Sequence, residues 1–385
     1  MMSVSGNSNS GRLTAAVPGG RSSALLVYTL SHAAVDLACG YILYAMCRTG
    51  AVSAGNAAAL FLLYNTLAFG LQFIIGAVCD RRDCCRATAV VGCLLTAAGV
   101  LVGSAAPVVA VILVGIGNAA FHSGGGCDTL RHTEGMSGSG IFVSSGALGL
   151  ALGMKLGESG KLPVHALFVI MLFSAAAVFL FCGEKYADGS SVPFRGMPPL
   201  DFEKNPRRLL PLIRGEIAAV FICLFAIVVR SYTGFAAVSP GFDGKFAFLY
   251  VAFCAFAGKL AGGVLADLLG ARRVGVASLV LSVPLFWLGA ERGIFYLAAV
   301  FLFNIAMPIT LCTVARRLPG HEGFAFGLNT LTLLIGYIAS RAEVSAPTAR
   351  ILTLVLTLIA AVVVLLTVSD ERPAAVAKPE ENSAE

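Results

Sequence analysis

The chain has 385 residues, of which 57% are hydrophobic and only 12% carry charge. Soluble domains carry charge on about a quarter of their residues, so this composition excludes an ordinary soluble protein and predicts an integral membrane protein. The formal net charge of +6 does not indicate nucleic-acid binding, because the basic residues lie in short clusters between apolar runs rather than on one polar domain.

The apolar runs predict the transmembrane helices. The Ser- and Gly-rich residues 1–23 are expected to form a disordered cytoplasmic tail. Runs of about 17 to 23 apolar residues then recur, and each is long enough to cross a hydrocarbon core as a helix. In the first half of the chain the predicted helices are 24–46, 56–78, 88–104, 107–124, 140–156 and 164–182.

A polar segment, residues 183–216, divides the chain. Its charges and five prolines predict a cytoplasmic linker between a first bundle, 24–182, and a second bundle, 217–368. The second bundle repeats the helix count with 217–238, 246–266, 274–289, 293–314, 323–340 and 348–368, and residues 369–385 form a charged cytoplasmic tail. The predicted fold is an all-α membrane protein of twelve transmembrane helices in two six-helix bundles. Most Lys and Arg residues lie on the side of both termini, which places the termini in the cytoplasm.

The eleven cysteines predict no disulfide framework and no metal site. Several lie inside apolar runs and no CxxC pair occurs, so they are expected to be reduced and to pack as small hydrophobes. Cys79, Cys84 and Cys85 lie close together, but no histidine accompanies them and neighbouring arginines repel a cation. The sequence therefore predicts no metal and no cofactor.

A charged stretch occurs twice, in the short loop after the second predicted helix of each half. The two copies are GAVCDRRDCCR at 76–86 and GVLADLLGARR at 263–273. In each, a glycine precedes an aspartate by four residues and arginines follow. The glycines allow close helix approach, and the aspartates can meet an opposing helix N-terminus or a basic partner at the membrane surface. The candidate gating residues are Gly76, Asp80, Arg81, Gly263, Asp267, Arg272 and Arg273. The alternative is that these residues only fix the membrane topology.

This repeated loop resembles the loop motif of the major facilitator superfamily, and the resemblance covers nearly the whole chain. It implies two parallel halves that rock around a central binding site. A narrower resemblance, to the fosmidomycin-resistance branch, is carried by LSHAAVD at 30–36, GIGNAAFH at 115–122 and RRLPG at 316–320. That branch implies proton-coupled export of a drug-like solute by a monomer in the inner (plasma) membrane. The substrate itself cannot be carried over.

Ionisable residues inside the predicted spans are the candidate site. His32 and Asp36 are four residues apart and share one face of a helix, which suits proton coupling, although a purely structural pair would show the same spacing. His122 precedes three glycines, Gly124 to Gly126, where we expect a broken helix that lines a cavity. It is a candidate substrate contact.

Two further spans carry charge. Arg230 and Tyr232, in the seventh predicted helix, are candidate substrate-binding residues, and Arg230 could instead pair with Asp36 across the halves. Lys259 is expected to snorkel toward the cytoplasmic surface.

A row of glycines in the fifth predicted helix bears on the direction of transport. Gly140, Gly149, Gly153 and Gly157 resemble the glycine motif of antiporters in the superfamily, and we expect them to form a helix-packing hinge against the opposing half. The favoured function is therefore a proton-coupled exporter whose partners are a small-molecule solute, protons and the lipid bilayer. An importer of a small anionic nutrient, and a membrane receptor or intramembrane enzyme, remain as alternatives, the last two disfavoured.

Overall fold

The computed structural model describes residues 20–133, 135–182, 217–237 and 246–369. The predicted linker and most of the two predicted tails lie outside these residues. Twelve of the described helical segments are long and apolar enough to cross a membrane, which confirms the predicted all-α fold of twelve spans and makes the chain a multi-pass membrane protein.

Seven helices among the described residues of the N-terminal half form six spans. They are α1 Gly20–Arg48, α2 Ala54–Gly70, α3 Gln72–Arg82, α4 Cys85–Val102, α5 Pro107–His132, α6 Ser137–Ser159 and α7 Val164–Phe181. The helices α2 and α3 meet at Leu71 and together make the second span, Gly55–Arg82. A short 3-10 turn, Gly103–Ala105, follows α4.

Within 217–237 and 246–369 the C-terminal half has six helices, one for each span. They are α8 Ala218–Ala236, α9 Ala247–Leu269, α10 Ala271–Gly289, α11 Gly293–Arg316, α12 Glu322–Ala339 and α13 Ala346–Thr367. The sequence placed most helix ends within a few residues of these bounds, because each run of apolar residues stops where the chain reaches a polar loop.

The break predicted at Gly124–Gly126 is wrong, since α5 continues to His132. The reason is close packing on two sides. An added Cβ on Gly124 would meet the carbonyl oxygen of Cys85, and one on Gly126 would meet the ring of Phe326. These glycines therefore allow neighbouring helices to approach an intact α5 instead of interrupting it.

The two halves meet along equivalent helix pairs. The second span of the N-terminal half packs on α12, the fifth span of the C-terminal half, and α9, the second span of the C-terminal half, packs on α6, the fifth span of the N-terminal half. In this reciprocal arrangement, helices at equivalent positions of the two halves make equivalent contacts, as the internal repeat in the sequence suggests. It brings the two charged loops to the same end of the molecule, where each faces the start of a helix in the other half.

Apolar side chains cover the outer surface. Phe173, Leu366 and Phe221 are exposed over 75%, 73% and 66% of their surface, and many other large apolar residues are also exposed. In water such a surface would favour aggregation, but against lipid tails it carries no penalty. Ionisable residues in the middle of the spans, such as His32, His122 and Arg230, are in contrast buried inside the bundle and define the candidate site.

Candidate functional site

A carboxylate and two histidines meet inside the N-terminal half. The Nε2 atom of His32 lies 3.3 Å from Oδ2 of Asp36, one turn along α1. The Nε2 atom of His122, on α5, lies 3.7 Å from the other carboxylate oxygen of Asp36. The two imidazole rings make an edge contact with centroids 4.3 Å apart. The structure therefore places the predicted coupling pair and His122 in one cluster, here called the His–Asp cluster (His32, Asp36 and His122).

Backbone carbonyl groups fix the tautomer of both histidines. Nδ1 of His32 lies 2.7 Å from the carbonyl oxygen of Phe142, and Nδ1 of His122 lies 2.9 Å from that of Asn118. A carbonyl oxygen only accepts, so each Nδ1 carries the hydrogen and, in a neutral ring, each Nε2 presents a lone pair to the carboxylate. A proton between Nε2 of His32 and Oδ2 of Asp36 would turn their 3.3 Å contact into a hydrogen bond, whereas the 3.7 Å between His122 and Asp36 is longer than a hydrogen bond. The geometry therefore offers one place for a shared proton, between His32 and Asp36.

Two neighbours hold Asp36 in place, and the sequence analysis identified neither. Asn118 donates from Nδ2 to Oδ1 of Asp36 over 2.7 Å. Gly146 of α6 lies against the cluster, and an added Cβ there would meet both the Asp36 carboxylate and the His32 ring. The spacing of Asn118 and His122, four residues apart on one face of α5, was the available signal.

The cluster also has the donor types of a divalent-metal site, because its ligand atoms all lie within 4.8 Å of one another. Imidazole nitrogen and carboxylate oxygen suit first-row transition metals. The charge environment disfavours a metal cation, since Lys259 of the other half lies within electrostatic range of Asp36 and His122, and Arg230 in turn repels Lys259. An added divalent cation would increase that repulsion.

The first of these cations is Arg230 of α8, which is only 6% exposed. Its guanidinium donates to Oγ1 of Thr310 over 3.3 Å and to the carbonyl oxygen of Phe303 over 3.1 Å, and it lies over the Phe303 ring. Its Nε has no hydrogen-bond partner. The suggested pairing of Arg230 with Asp36 is wrong, because the described partners of Asp36 are the two histidines and Asn118. The neighbouring Tyr232 is half-buried.

The second cation is Lys259 of α9. It lies within electrostatic range of Asp36, His122 and Arg230, which places its ammonium between the two halves. The expectation that Lys259 snorkels to the surface is therefore wrong. Its position next to the inter-half contact of α9 with α6 directs the side chain inward, and no sequence pattern encodes that contact.

The first charged loop closes one end of the interface between the halves. Asp80, at the end of α3, accepts hydrogen bonds from the backbone N–H groups of Gly323 and Phe324 over 2.9 and 2.8 Å. These are free N–H groups in the first turn of α12, so Asp80 caps a helix of the other half and faces the positive end of its dipole. We call this contact, completed by Arg131, the Asp80 lock.

Arg131, near the end of α5, ties the Asp80 lock together. Its guanidinium lies 3.1 Å from Asp80, 3.0 Å from Asp83 and 3.5 Å from Glu322, the first residue of α12. The sequence analysis missed Arg131 and Glu322, because it ended the fourth span before Arg131. The candidate Arg81 is exposed at the end of α3.

The second loop makes the equivalent contact from the C-terminal half to a helix of the N-terminal half. Asp267, at the end of α9, accepts hydrogen bonds from the backbone N–H groups of Met136 and Ser137 over 2.7 and 2.8 Å, at the start of α6. We call this contact the Asp267 lock. Arg272 instead donates to the carbonyl oxygen of Val368 within its own half, and Arg273 lies on the same first turn of α10.

Glycines let the helices of both locks approach. An added Cβ on Gly76 would meet the backbone of Gly323, and one on Gly263 would meet the backbone around Met136 and Gly140. Gly140 therefore packs against the opposing half, as expected.

The other three glycines of the row do not face the opposing half. Gly149, Gly153 and Gly157 face the backbone of α1 at Ala33, Leu37 and Tyr41, and α1 belongs to their own half. This corrects the expected orientation of the hinge row. Small residues on α6 allow α1 to approach closely, and the close approach brings Asp36 and His32 against Gly146.

No protein-family model matches the sequence, and the comparison with curated proteins gives no significant match. Solved structures do match. FucP, a major facilitator superfamily transporter in the outward conformation, is 15% identical, with a TM-score of 0.60 over 90% of this chain and 100% of that chain. A bacterial homologue of the iron transporter ferroportin, in an outward-facing state, is 14% identical, with a TM-score of 0.62 over 90% and 98%.

The human organic anion transporter MFSD10 (TETRAN) is 16% identical, with a TM-score of 0.58 over 91% of this chain and 99% of that chain. A likeness of this extent shows the fold. The chain has the fold of the major facilitator superfamily, and the resemblance to the fosmidomycin-resistance branch stays a prediction.

Proposed function

We propose that this chain is a secondary active transporter that exchanges protons for a small organic solute by alternating access, and that the solute carries an anionic group. The fold supports a transporter over an enzyme or a receptor, because the similar solved proteins are named as transporters. One observation carries the proposal: a cluster of one carboxylate and two histidines in one half lies within electrostatic range of Lys259 of the other half, and Lys259 lies near the buried Arg230.

The proton part of the proposal rests on the His–Asp cluster. With both Nδ1 atoms bound to backbone carbonyls, the cluster gains or loses a proton at the Nε2 atoms and the carboxylate of Asp36. An ionisable group inside a transmembrane bundle is costly, so it is commonly part of an ion or proton pathway. His122 thus changes role, from the expected substrate contact to a member of the proton site.

The solute part rests on Arg230 and Lys259. Arg230 is buried, its three described contacts are to neutral groups, and its Nε lacks a partner. A buried guanidinium without a carboxylate is costly, and an anionic group of a solute would offset that cost. When Asp36 is protonated, the net positive charge of the region rises and an anion binds more tightly. Loss of that proton then favours release of the anion. This linkage couples the two ligands in the sense of symport, whereas the proposed exchange rests on the resemblance of the α6 glycine row to the antiporter motif.

The Asp80 and Asp267 locks support alternating access. Both lie at one end of the interface between the halves, so that end opens only when two helix caps in trans are broken. By the distribution of basic residues we place this end and both termini in the cytoplasm, in an inner (plasma) membrane. The glycine row of α6 and its resemblance to antiporters favour export, and a monomer contains the whole proposed site.

Import of a small anionic nutrient is the second candidate. Arg230 and Lys259 would bind an imported anion as well as an exported one. Among the similar proteins, one is named as a fucose:proton symporter of E. coli, 16% identical with a TM-score of 0.62 over 90% of this chain and 98% of that chain. Direction depends on whether the proton and the solute move together or in exchange.

Proton flux from proteoliposomes tests the proposal. Purified protein is reconstituted with an internal pH dye, a pH gradient is imposed, and solutes are added in matched pairs that differ only in an anionic group. We expect the anionic member of a pair to change proton flux and the neutral member to leave it unchanged. The sign of the flux distinguishes exchange from symport.

Variants show whether the flux uses this site. Asp36→Asn should abolish solute-driven proton flux, whereas His165→Asn, which changes an exposed histidine at the start of α7, should leave it unchanged. Retained flux in a folded Asp36→Asn protein would remove the His–Asp cluster from the mechanism.

A further inference from the structure

A pair of thiols lies directly behind the Asp80 lock. Sγ of Cys85, the first residue of α4, is 2.9 Å from Sγ of Cys127 on α5. Both residues are buried, with exposures of 5% and 0%, and both are free cysteines. Cys79 packs against the same pair. From the sequence these residues were expected to be reduced and to pack as small hydrophobes, because several cysteines lie inside apolar runs and no CxxC pair occurs.

The distance between the two sulfur atoms favours a disulfide over a metal. Zinc–sulfur bonds of about 2.3 Å in a tetrahedral site hold the sulfur atoms about 3.8 Å apart, which is wider than this pair. A disulfide needs about 2.05 Å between the sulfur atoms, so Cys85 and Cys127 have to approach by only about 0.9 Å. The nearby guanidinium of Arg131 also disfavours a metal cation.

One neighbour favours reaction at Cys85. Nη1 of Arg131 lies 3.6 Å from Sγ of Cys85, and a guanidinium at this distance stabilises a thiolate, which is the reactive form. Cys127 donates its S–H to Oδ1 of Asp80 over 3.6 Å. The pair thus contacts both members of the ion pair that forms the Asp80 lock.

We propose that Cys85 and Cys127 are a reversible oxidation site and that their disulfide holds the Asp80 lock closed. The oxidant is a peroxide. The Cys85 thiolate attacks one peroxide oxygen to give a sulfenic acid, and Cys127 then displaces that oxygen as water. For hydrogen peroxide, two thiols and one peroxide give one disulfide and two waters, and two electrons pass from sulfur to oxygen.

The expected consequence follows from what the pair connects. A disulfide joins the start of α4 to α5 within the N-terminal half, and so fixes Arg131 next to Asp80 in the arrangement that caps α12 of the other half. Opening of this end should slow, and a thiol reductant should restore it. The effect on transport rests on the proposed function, whereas the disulfide and its effect on the lock do not.

The first measurement maps the bond. Purified full-length protein is treated with hydrogen peroxide, free thiols are alkylated, and linked peptides are identified by mass spectrometry. We expect a Cys85–Cys127 link in the wild type and in Cys79→Ala, and none in Cys127→Ala. Free thiols at both positions after oxidation, or links that join only other cysteines, would overturn the proposal. The wild-type result needs no variant to fold.

The second measurement reads the lock without requiring transport. Hydrogen exchange of the amides of Gly323 and Phe324 is compared in oxidised and reduced protein, with oxidised Cys127→Ala as the control. We expect exchange to slow by roughly 5-fold or more on oxidation, the lower end of typical coupling between sites, and to recover with reductant. Equal exchange in a protein shown to contain the disulfide would remove the proposed effect on the lock.

Discussion

Replacing Asp80 with asparagine tests whether the two locks open in one motion. Asp80 accepts two backbone N–H bonds from α12 and pairs with Arg131 across 3.1 Å, while its own side chain is only 3% exposed. Asparagine keeps one acceptor oxygen but loses the charge, and its amide N–H₂ group then faces N–H donors. Each hydrogen bond to a charged group contributes about 1.5 to 3 kcal/mol. We expect Asp80→Asn to lower the free energy of opening by about 2 to 4 kcal/mol, allowing for the remaining acceptor.

Hydrogen exchange measured by mass spectrometry gives the size of the change. A tenfold change in an equilibrium corresponds to about 1.4 kcal/mol, so exchange of the Gly323 and Phe324 amides should rise by roughly 30- to 700-fold. If both locks open in a single rigid movement, the amides of Met136 and Ser137, which bind Asp267, should also exchange faster. A rise confined to α12 would mean that Asp80 is a local helix cap and would refute the gate.

Two controls bracket this experiment. Asp267→Asn is the reciprocal variant. It should speed exchange of the Met136 and Ser137 amides directly and, if the locks open together, that of Gly323 and Phe324 as well. Asp83→Asn removes another partner of Arg131, but the Asp83 side chain is 74% exposed and solvent weakens that ion pair. It should change exchange at Gly323 very little. A strong effect of Asp83→Asn would show that charge near Arg131, rather than the cap on α12, holds the end closed.

Three further changes test the candidate site in proton-flux and binding assays. Gly146→Ala places a Cβ against Asp36 and should lower solute-driven proton flux by about 100-fold. The control is Gly55→Ala, where nothing lies within 4 Å, and its flux should be unchanged. Equal activity of the two variants would contradict the packing argument. Arg230→Gln should weaken binding of an anionic solute by roughly 10- to 100-fold without affecting its neutral analogue, and an equal loss for both would make Arg230 structural. Asn118→Leu removes the donor to Asp36 and should lower proton flux by about 10-fold, so unchanged flux would show that Asn118 does not position the carboxylate.

Local spacing in the sequence predicted part of the site. His32 and Asp36 are four residues apart on one helix, so their contact follows from helix geometry alone. Asp80 and Asp267 follow glycines in a repeated pattern, which indicated that both meet something at the ends of their helices. The partners of Asp80 could not be predicted, because Gly323 and Phe324 lie 243 and 244 residues away along the chain and a helix N-terminus carries no distinctive side chain.

Contacts between distant helices account for what the sequence analysis missed or misplaced. In the sequence, Arg131 is a cation near the end of α5 and Lys259 is a cation that could snorkel. Their contacts emerge only when α5 and α9 pack against neighbouring helices. Gly124 and Gly126 looked like a break, although each only makes room for an adjacent helix. Cys127 gained its significance from a partner on α4. In each case the residue type was visible and its neighbour was not.

The sequence by itself determined the number of spans, their approximate ends, the internal repeat and the placement of charge within an apolar chain. These properties follow from hydrophobicity along the chain, because a segment that crosses a bilayer must be apolar for about 20 residues and must satisfy its own backbone. The tertiary structure alone decided that the two Nε2 atoms converge on Asp36, that Arg230 faces no carboxylate among the described residues, and that each half caps a helix of the other. Those facts depend on how helices distant in sequence are packed, and in lipid that packing is set by small residues and paired polar groups whose partners the one-dimensional pattern does not specify.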